Sequence, residues 1–178
     1  MSNFQFAGAL GNKGYRNILF EGADQIEMSN PFVYYRLESL NDLKLYSSCS
    51  VRNLDWRADL TLIRRFYTRF GNNQINPDEF DHYVGNPLAI LQNDEIVSFA
   101  IPLSFRDGET EIGGVATVPD RRNKGYCKEL ISELAFRILN KGKAVTLTTE
   151  KNNLPMRKAA EAIGMITSEE TGEGTDGI

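Results

Sequence analysis

Histidine occurs once in this chain, at His82, and cysteine only twice, at Cys49 and Cys127. That leaves no metal-ligand spacing and no disulfide framework, so neither a Cys/His zinc site nor a cystine-stapled secreted scaffold is expected, and a reducing, cytoplasmic setting is. Long apolar runs are missing too. Nothing approaches the ~20 residues of a membrane span, and the first residues hold no signal-peptide apolar stretch, so no membrane partner is expected. Positive charge is not in surplus: 20 Lys+Arg stand against 24 Asp+Glu, a net charge of −4. A general nucleic-acid binder would carry a basic footprint, so that class is set aside. Repeats and low-complexity linkers are also absent. What is present is 178 residues, 41% of them hydrophobic, enough to bury a single core without staples.

The most informative stretch runs from Glu111 to Asn140. Glu111 to Val118 is rich in small and β-branched residues and predicts a buried strand, stopped by Pro119-Asp120. From Tyr126, apolar residues at Leu130, Ile131, Leu134, Ala135, Ile138 and Leu139 fall at helical spacing, with Lys128, Glu129, Glu133 and Arg137 on the other side. Lys141-Gly142 closes that helix with a basic last turn and a C-cap glycine. Between strand and helix lies Arg121-Arg122-Asn123-Lys124-Gly125-Tyr126-Cys127. A helix N-terminus exposes unpaired N–H groups and the positive end of the dipole, so it attracts phosphate. Three cations raise the local potential further. The loop is therefore either an anion site or a solvated basic turn. It is neither a P-loop nor a GxGxxG fingerprint.

Arg122-Asn123-Lys124-Gly125-Tyr126-Cys127 resembles the [QR]-x-x-G-x-[GA] signature of the GNAT superfamily of acyl-CoA-dependent N-acyltransferases. Val115-Ala116-Thr117-Val118-Pro119 resembles the strand and exit that precede it in bacterial members. Asn153 to Met165 resembles a degraded N-x-x-A-x-x-x-Y-x-x-x-G-F segment. The similarity spans about residues 48 to 168. It implies an α/β (α+β) fold with a mixed, mostly antiparallel central sheet flanked by helices. In it a parallel pair, 111–118 and 144–149, splays around the acyl-CoA.

The rest of the chain is read as one domain: an N-terminal extension over 1–47, a core over 48–168 and a disordered acidic, glycine-rich tail over 169–178. Strands are expected at Tyr15–Glu21 and Phe32–Leu37, with a short helix at Leu40–Tyr46. A short strand at Cys49–Asn53 precedes a helix that Asp55 caps and that runs to Phe70, with Leu60, Ile63, Phe66, Tyr67 and Phe70 on one face. Another short helix is expected at Asp78–Val84. Leu88–Gln92 and Glu95–Ser104 read as a hairpin turning on Asn93-Asp94, and Arg106 to Glu109 as the next turn. Ala144–Thr149 follows by a right-handed crossover, and a last helix runs from Asn152-Asn153 to Ile163. Relatives finish with two further strands in a hairpin, for which this pattern leaves at most a stub. Either an N-terminal strand fills that sheet edge or a homodimer partner covers it.

The resemblance also assigns chemistry. Acetyl-CoA would be the acyl donor, with no metal, and an unidentified amine the acceptor. The loop Arg121, Arg122, Asn123, Lys124, Gly125, Tyr126 and Cys127 would hold the pyrophosphate. The backbone of Val115, Ala116, Thr117 and Val118 would meet the pantetheine arm. Gly113-Gly114 inside a strand implies a bulge or a close approach, though plain sheet packing is the competing reading. Glu111 is the candidate general base, with the alternative of being a solvated carboxylate in an acidic turn, and Glu150 is held in reserve. The tyrosine that reprotonates the leaving thiolate in many relatives is replaced by Ala160, leaving water or the Tyr126 hydroxyl. Asn153 is read first as an N-cap, second as a cofactor contact. Cys127 is read as a small residue rather than a nucleophile, and His82 as a surface or pocket-lining residue. The expected activity is N-acetyl transfer to a primary amine; the alternatives are a non-catalytic acyl-CoA sensor and a phosphate-binding or oligomer-forming module.

Overall fold

A computed structural model of the chain describes residues 32–47, 51–70, 84–103 and 106–168. Among these lie strands β1 (Phe32–Leu37) and β2 (Val51–Asn53), helix α1 (Leu60–Thr68), then strands β3 (Leu88–Gln92), β4 (Glu95–Leu103) and β5 (Glu109–Thr117). Helix α2 (Tyr126–Leu139), β6 (Ala144–Glu150), α3 (Leu154–Ala162) and β7 (Ile166–Ser168) follow. The strand expected at Tyr15–Glu21, the helix expected at Asp78–Val84 apart from Val84 itself, the residues Cys49 and His82, and the tail 169–178 lie outside the described residues.

The strands form one sheet in the order β2-β3-β4-β5-β6-β1-β7. Every pairing is antiparallel except β5 with β6. The β3–β4 hairpin turns where expected: Asn93 and Asp94 both have positive φ, 50° and 58°, the geometry of the primed turns that match strand twist. The strand at Phe32–Leu37 is inserted between β6 and β7. An N-terminal strand thus takes up the place beside β6, and the C-terminal stub β7 pairs with it.

Helix α1 lays Phe66 and Tyr67 against Phe99 of β4, with ring centroids 5.5 and 5.6 Å apart, and Trp56 completes the cluster. Edge-to-face and tilted pairs of this kind add about 0.5–1.5 kcal/mol each beyond the area they bury. Helices α2 and α3 lie against each other and the sheet, burying Leu130, Ile131, Leu134, Ala159, Ala160 and Ile163. Truncating such a leucine to alanine costs about 2–5 kcal/mol.

Two local expectations are corrected. Leu40–Tyr46 is a turn and an extended strap, not a helix. It is tied down by Lys44 N–H to the Ile163 carbonyl (2.9 Å) and Tyr46 N–H to Ser132 Oγ (3.1 Å), so tertiary bonds replace local ones. Helix α1 begins at Leu60 rather than just after Asp55. Asp55 caps the turn before it, accepting the N–H groups of Arg57 and Ala58 at 2.9 and 2.7 Å, while Asp59 accepts the Asp55 N–H at 2.9 Å. Those donated N–H groups hold the Asp55 carboxyl below its usual range.

Candidate active site

The parallel pair opens into a fork. β5 and β6 share only the register Glu109↔Ala144, Thr110↔Val145 and Glu111↔Thr146. Beyond Glu111, β5 continues to Thr117 and β6 to Glu150 with no further pairing to each other. On its other edge β5 carries a bulge: Phe99 faces Ala116 and Ile101 faces Gly113, so two steps along β4 match three along β5. Gly114 supplies the extra residue with φ +56°. A Cβ there would sit 2.6 Å from Ile101 Cδ1. The left-handed backbone is what calls for glycine, since the close contact is with the end of a side chain that can turn aside. Such an insertion bends a strand and raises its twist, which is how β5 swings away from β6.

Backbone groups alternate sides along a strand. Val118 gives its N–H to the Val97 carbonyl at 3.0 Å and the Ala116 carbonyl accepts from Ser98 Oγ at 3.1 Å, so both are engaged on the β4 side. By that alternation the main-chain groups of Val115 and Thr117 point away from β4, and those of Ala116 and Val118 towards it. The Thr117 carbonyl already accepts Arg122 Nε at 3.2 Å.

Past Val118 a 3-10 turn, Pro119–Arg121, leads to Asn123 (φ 62°) and to Gly125 (φ 87°), the N-cap of α2. The cap makes no side-chain hydrogen bond. The first intrahelical bond runs from the Glu129 N–H to the Gly125 carbonyl at 3.2 Å. The amides of Tyr126, Cys127 and Lys128 come before it and have no carbonyl one turn back within the helix. Lys124 and Arg122 are exposed beside them. Arg121 turns partly aside, 3.3 Å from Asp120, which also lies 3.6 Å from Arg69. Cys127 is no thiolate: burial pushes its thiol up to about 12, against a smaller opposing pull from Lys128.

Glu111 stands at the root of the fork. Burial pushes its carboxyl above the usual range, opposed by hydrogen bonds from the Thr148 side chain and backbone and by the charge of Arg106. Thr148 went unread in the sequence; only the alternation of Ala144–Thr149 could have put Thr146 and Thr148 on one face together. Tyr126 does not join Glu111. Its ring is buried and its hydroxyl accepts from Gln92 Nε2 at 2.5 Å. Gln92 closes the β3–β4 hairpin beyond Thr117, and six residues of strand from Glu111 to Thr117 span about 20 Å. The Tyr126 hydroxyl, expected as a candidate acid, thus lies towards the end of β5 away from Glu111. Ala160 is fully buried. Asn153 is the N-cap of α3, accepting the Met156 N–H at 3.3 Å and donating to Thr149 Oγ1 at 3.0 Å, so its first reading holds. Glu150 is exposed at the far end of β6, away from Glu111. No group of three or more His, Cys, Asp or Glu is arranged to hold a metal among the described residues, and no described helix is long and apolar enough to cross a membrane.

The family model of the Acetyltransferase (GNAT) family matches residues 49–165. No curated protein is significantly similar in sequence, but many solved structures share the fold. A GNAT-family protein from Novosphingobium aromaticivorans superposes with a TM-score of 0.63 at 12% identity, over 78% of this chain and 60% of that one. A GCN5-related N-acetyltransferase-like protein from Streptococcus suis gives 0.56 at 22% identity, over 78% and 58%. The aminoglycoside N-acetyltransferase AAC(6')-Iy, solved with a bisubstrate analogue built on CoA, gives 0.55 at 18% identity, over 69% and 94%. The chain thus spans about three fifths of the first two proteins and nearly all of the third. With the family model covering well over half its residues, the chain belongs to the acetyltransferase (GNAT) family.

Proposed function

We propose that the protein is an N-acetyltransferase that moves an acetyl or other short acyl group from acyl-CoA to a primary amine. One observation carries this reading: the fork between β5 and β6 is open from its root at Glu111 towards the helix tip at Gly125. A fork of that kind suits an extended thioester whose diphosphate end sits on the bare tip. The CoA-derived analogue bound to AAC(6')-Iy supports the same donor.

In this reading the amides of Tyr126, Cys127 and Lys128, with Arg121, Arg122 and Lys124, hold the diphosphate. Val115 and Thr117 offer main-chain groups to the pantetheine amides. Glu111 takes a proton from the amine, directly or through water. The amine nitrogen attacks the thioester carbon, the C–S bond breaks, and an N–H near the bulge stabilises the oxyanion. Positioning supplies much of the rate, so no covalent intermediate is needed. The thiolate leaves without a protein acid at Ala160, which is tolerable because thiols ionise near pH 8.5. The catalytic unit is one domain over residues 48–168, completed by β1.

Acetyl-CoA should raise the melting temperature, and an amine panel should release free thiol above the hydrolysis background. A protein that acetyl-CoA does not stabilise sinks the reading. If stabilisation comes without thiol release, the second reading, an acyl-CoA sensor motivated by Ala160, replaces it. Glu111→Gln should lower kcat/KM at neutral pH by about 10²-fold or more. It should also raise the melting temperature at neutral pH. The sign follows from linkage. A carboxyl whose folded pKa is raised loses stability as pH climbs from the unfolded value through the folded one, so the ionised Glu111 is destabilising above that window. The stabilising effect of glutamine should fade below about pH 4.

A further inference from the structure

We propose that Arg36 of β1 is a positioning residue for the candidate site: by binding Glu109 across β6, it keeps a second negative charge from acting on Glu111 at the root of the fork. This rests on the acetyltransferase reading above. The register supplies the geometry. Arg36 pairs with Thr146, and Thr146 with Glu111, so the three form one row across β1, β6 and β5 on one face of the sheet. Glu109 stands on that face two residues earlier, in register with Ala144. From the row, the Arg36 guanidinium reaches over β6 and donates through Nη1 to Glu109 Oε1, while its Nε donates to Glu38 Oε1 at 2.6 Å. The reach is two strand spacings, about 10 Å, and Ala144, which it passes, carries only a methyl group. β1 lies outside residues 49–165, the part that the family model matches. The N-terminal segment therefore brings to the root of the fork a charge that the matched core does not supply.

Residues two apart in a strand lie about 7 Å from each other. At that range one carboxylate without a counter-charge disfavours ionisation of the next. A general base must be ionised to accept a proton, so Glu109 would hinder Glu111 if no cation offset it. Arg36 is that cation. Its side chain is 33% exposed, so solvent screens the pair, and the role assigned to it is charge balance rather than stability. The other charges on this face are spread out. Arg106, in the turn before β5, favours the Glu111 carboxylate, and Asp107 next to it is exposed. On β6 the nearest ionisable residue is Glu150, exposed at the strand end. On β4 the partner of Glu111 is Leu103, which carries no charge. Helix α1 packs on the same side further along β4, and its Arg65 and Arg69 pair with Glu95 at the opposite end of that strand.

The test is a charge cycle in the full chain: Arg36→Met, Glu109→Gln and the two together. Two readouts are compared, the pH profile of kcat/KM and the NMR titration of the Glu111 carboxyl carbon. In Arg36→Met the acid limb and the titration midpoint should both move upward by about half to one pH unit, as for two charges about 7 Å apart in largely solvent-like surroundings. In Glu109→Gln both should move downward, because Arg36 then acts on Glu111 with less to offset it. The double variant should return both to near the wild-type position. A merely structural brace would behave otherwise: either single change would loosen the same contact, and the double change would not restore it. An unmoved midpoint in a folded Arg36→Met protein, single variants that shift in the same direction, or a double variant that fails to return overturns the proposal. Should Arg36→Met not fold, a Glu109→Gln midpoint that does not fall overturns it equally. If the midpoints move as expected but neither the wild type nor any variant releases thiol, the influence of Arg36 on Glu111 stands and the acetyltransferase reading fails.

Discussion

Helices α2 and α3 each follow one arm of the fork, yet their N-termini are finished differently. At α3, Asn153 turns its side-chain amide oxygen, Oδ1, onto the Met156 N–H, and Pro155 in the first turn has no N–H to satisfy. At α2, Gly125 has no side chain to offer, and no side-chain cap is made. One tip is closed by its own sequence; the other is left with amides pointing outward and basic side chains around it. Gly125 is there for its backbone, φ 87°, and forgoing a capping side chain for glycine costs the helix only about a few tenths of a kcal/mol. Leaving donors uncapped makes sense where an anion completes them.

The contrast can be broken most severely at Gly125. Gly125→Asp places a carboxylate at the bare tip, so acetyl-CoA affinity should fall by about 10- to 100-fold in a binding titration, matching the loss of a charge-assisted contact. Affinity that stayed within twofold would mean that the tip does not hold the diphosphate. Asn153→Ala should show the opposite pattern. Stability should drop by about 1 kcal/mol, a fall of about 2–4 °C in melting temperature, with acetyl-CoA affinity unchanged. A large loss of affinity there would make α3 a binding tip after all. The smallest effect on activity is expected from Tyr126→Phe, which removes the bond to Gln92. Stability should fall by about 0.5–1.5 kcal/mol and the pH profile of thiol release should not move. A shifted alkaline limb would restore Tyr126 as the acid.

These differences also show what a sequence can disclose. The strand-loop-helix unit over Glu111–Asn140 is legible because its signals are local: a β-branched run, a proline stop, helical spacing and a closing glycine. The Asn93-Asp94 hairpin is legible for the same reason. The strap at 40–46 was misread because Leu40, Leu43 and Tyr46 recur at three-residue steps, a spacing that also suits an extended segment pinned to Ser132 and Ile163. The start of α1 was misplaced because Asp55 is a true cap, but of the turn before the helix. Within the site, Glu111 was found by resemblance and Gly114 by the cost of glycine in a strand. Thr148 was not found, since its place near Glu111 follows from the pairing of two strands distant in sequence. Nor could the Tyr126 hydroxyl be aimed from sequence, because Gln92 lies on another element.

The insertion of β1 between β6 and β7 sets the order in which this chain can be completed. Tyr35 of β1 donates its hydroxyl to Glu161 of α3, a contact that closes a loop of 126 positions. As the ribosome delivers about 5–20 residues per second, β1 must stay unmatched for several seconds until both of its neighbours have been made. Contacts of such long range slow folding. The meander β3-β4-β5 can assemble in the meantime, so the fork should have one arm in place before the other is locked by β1, a segment synthesised before either arm.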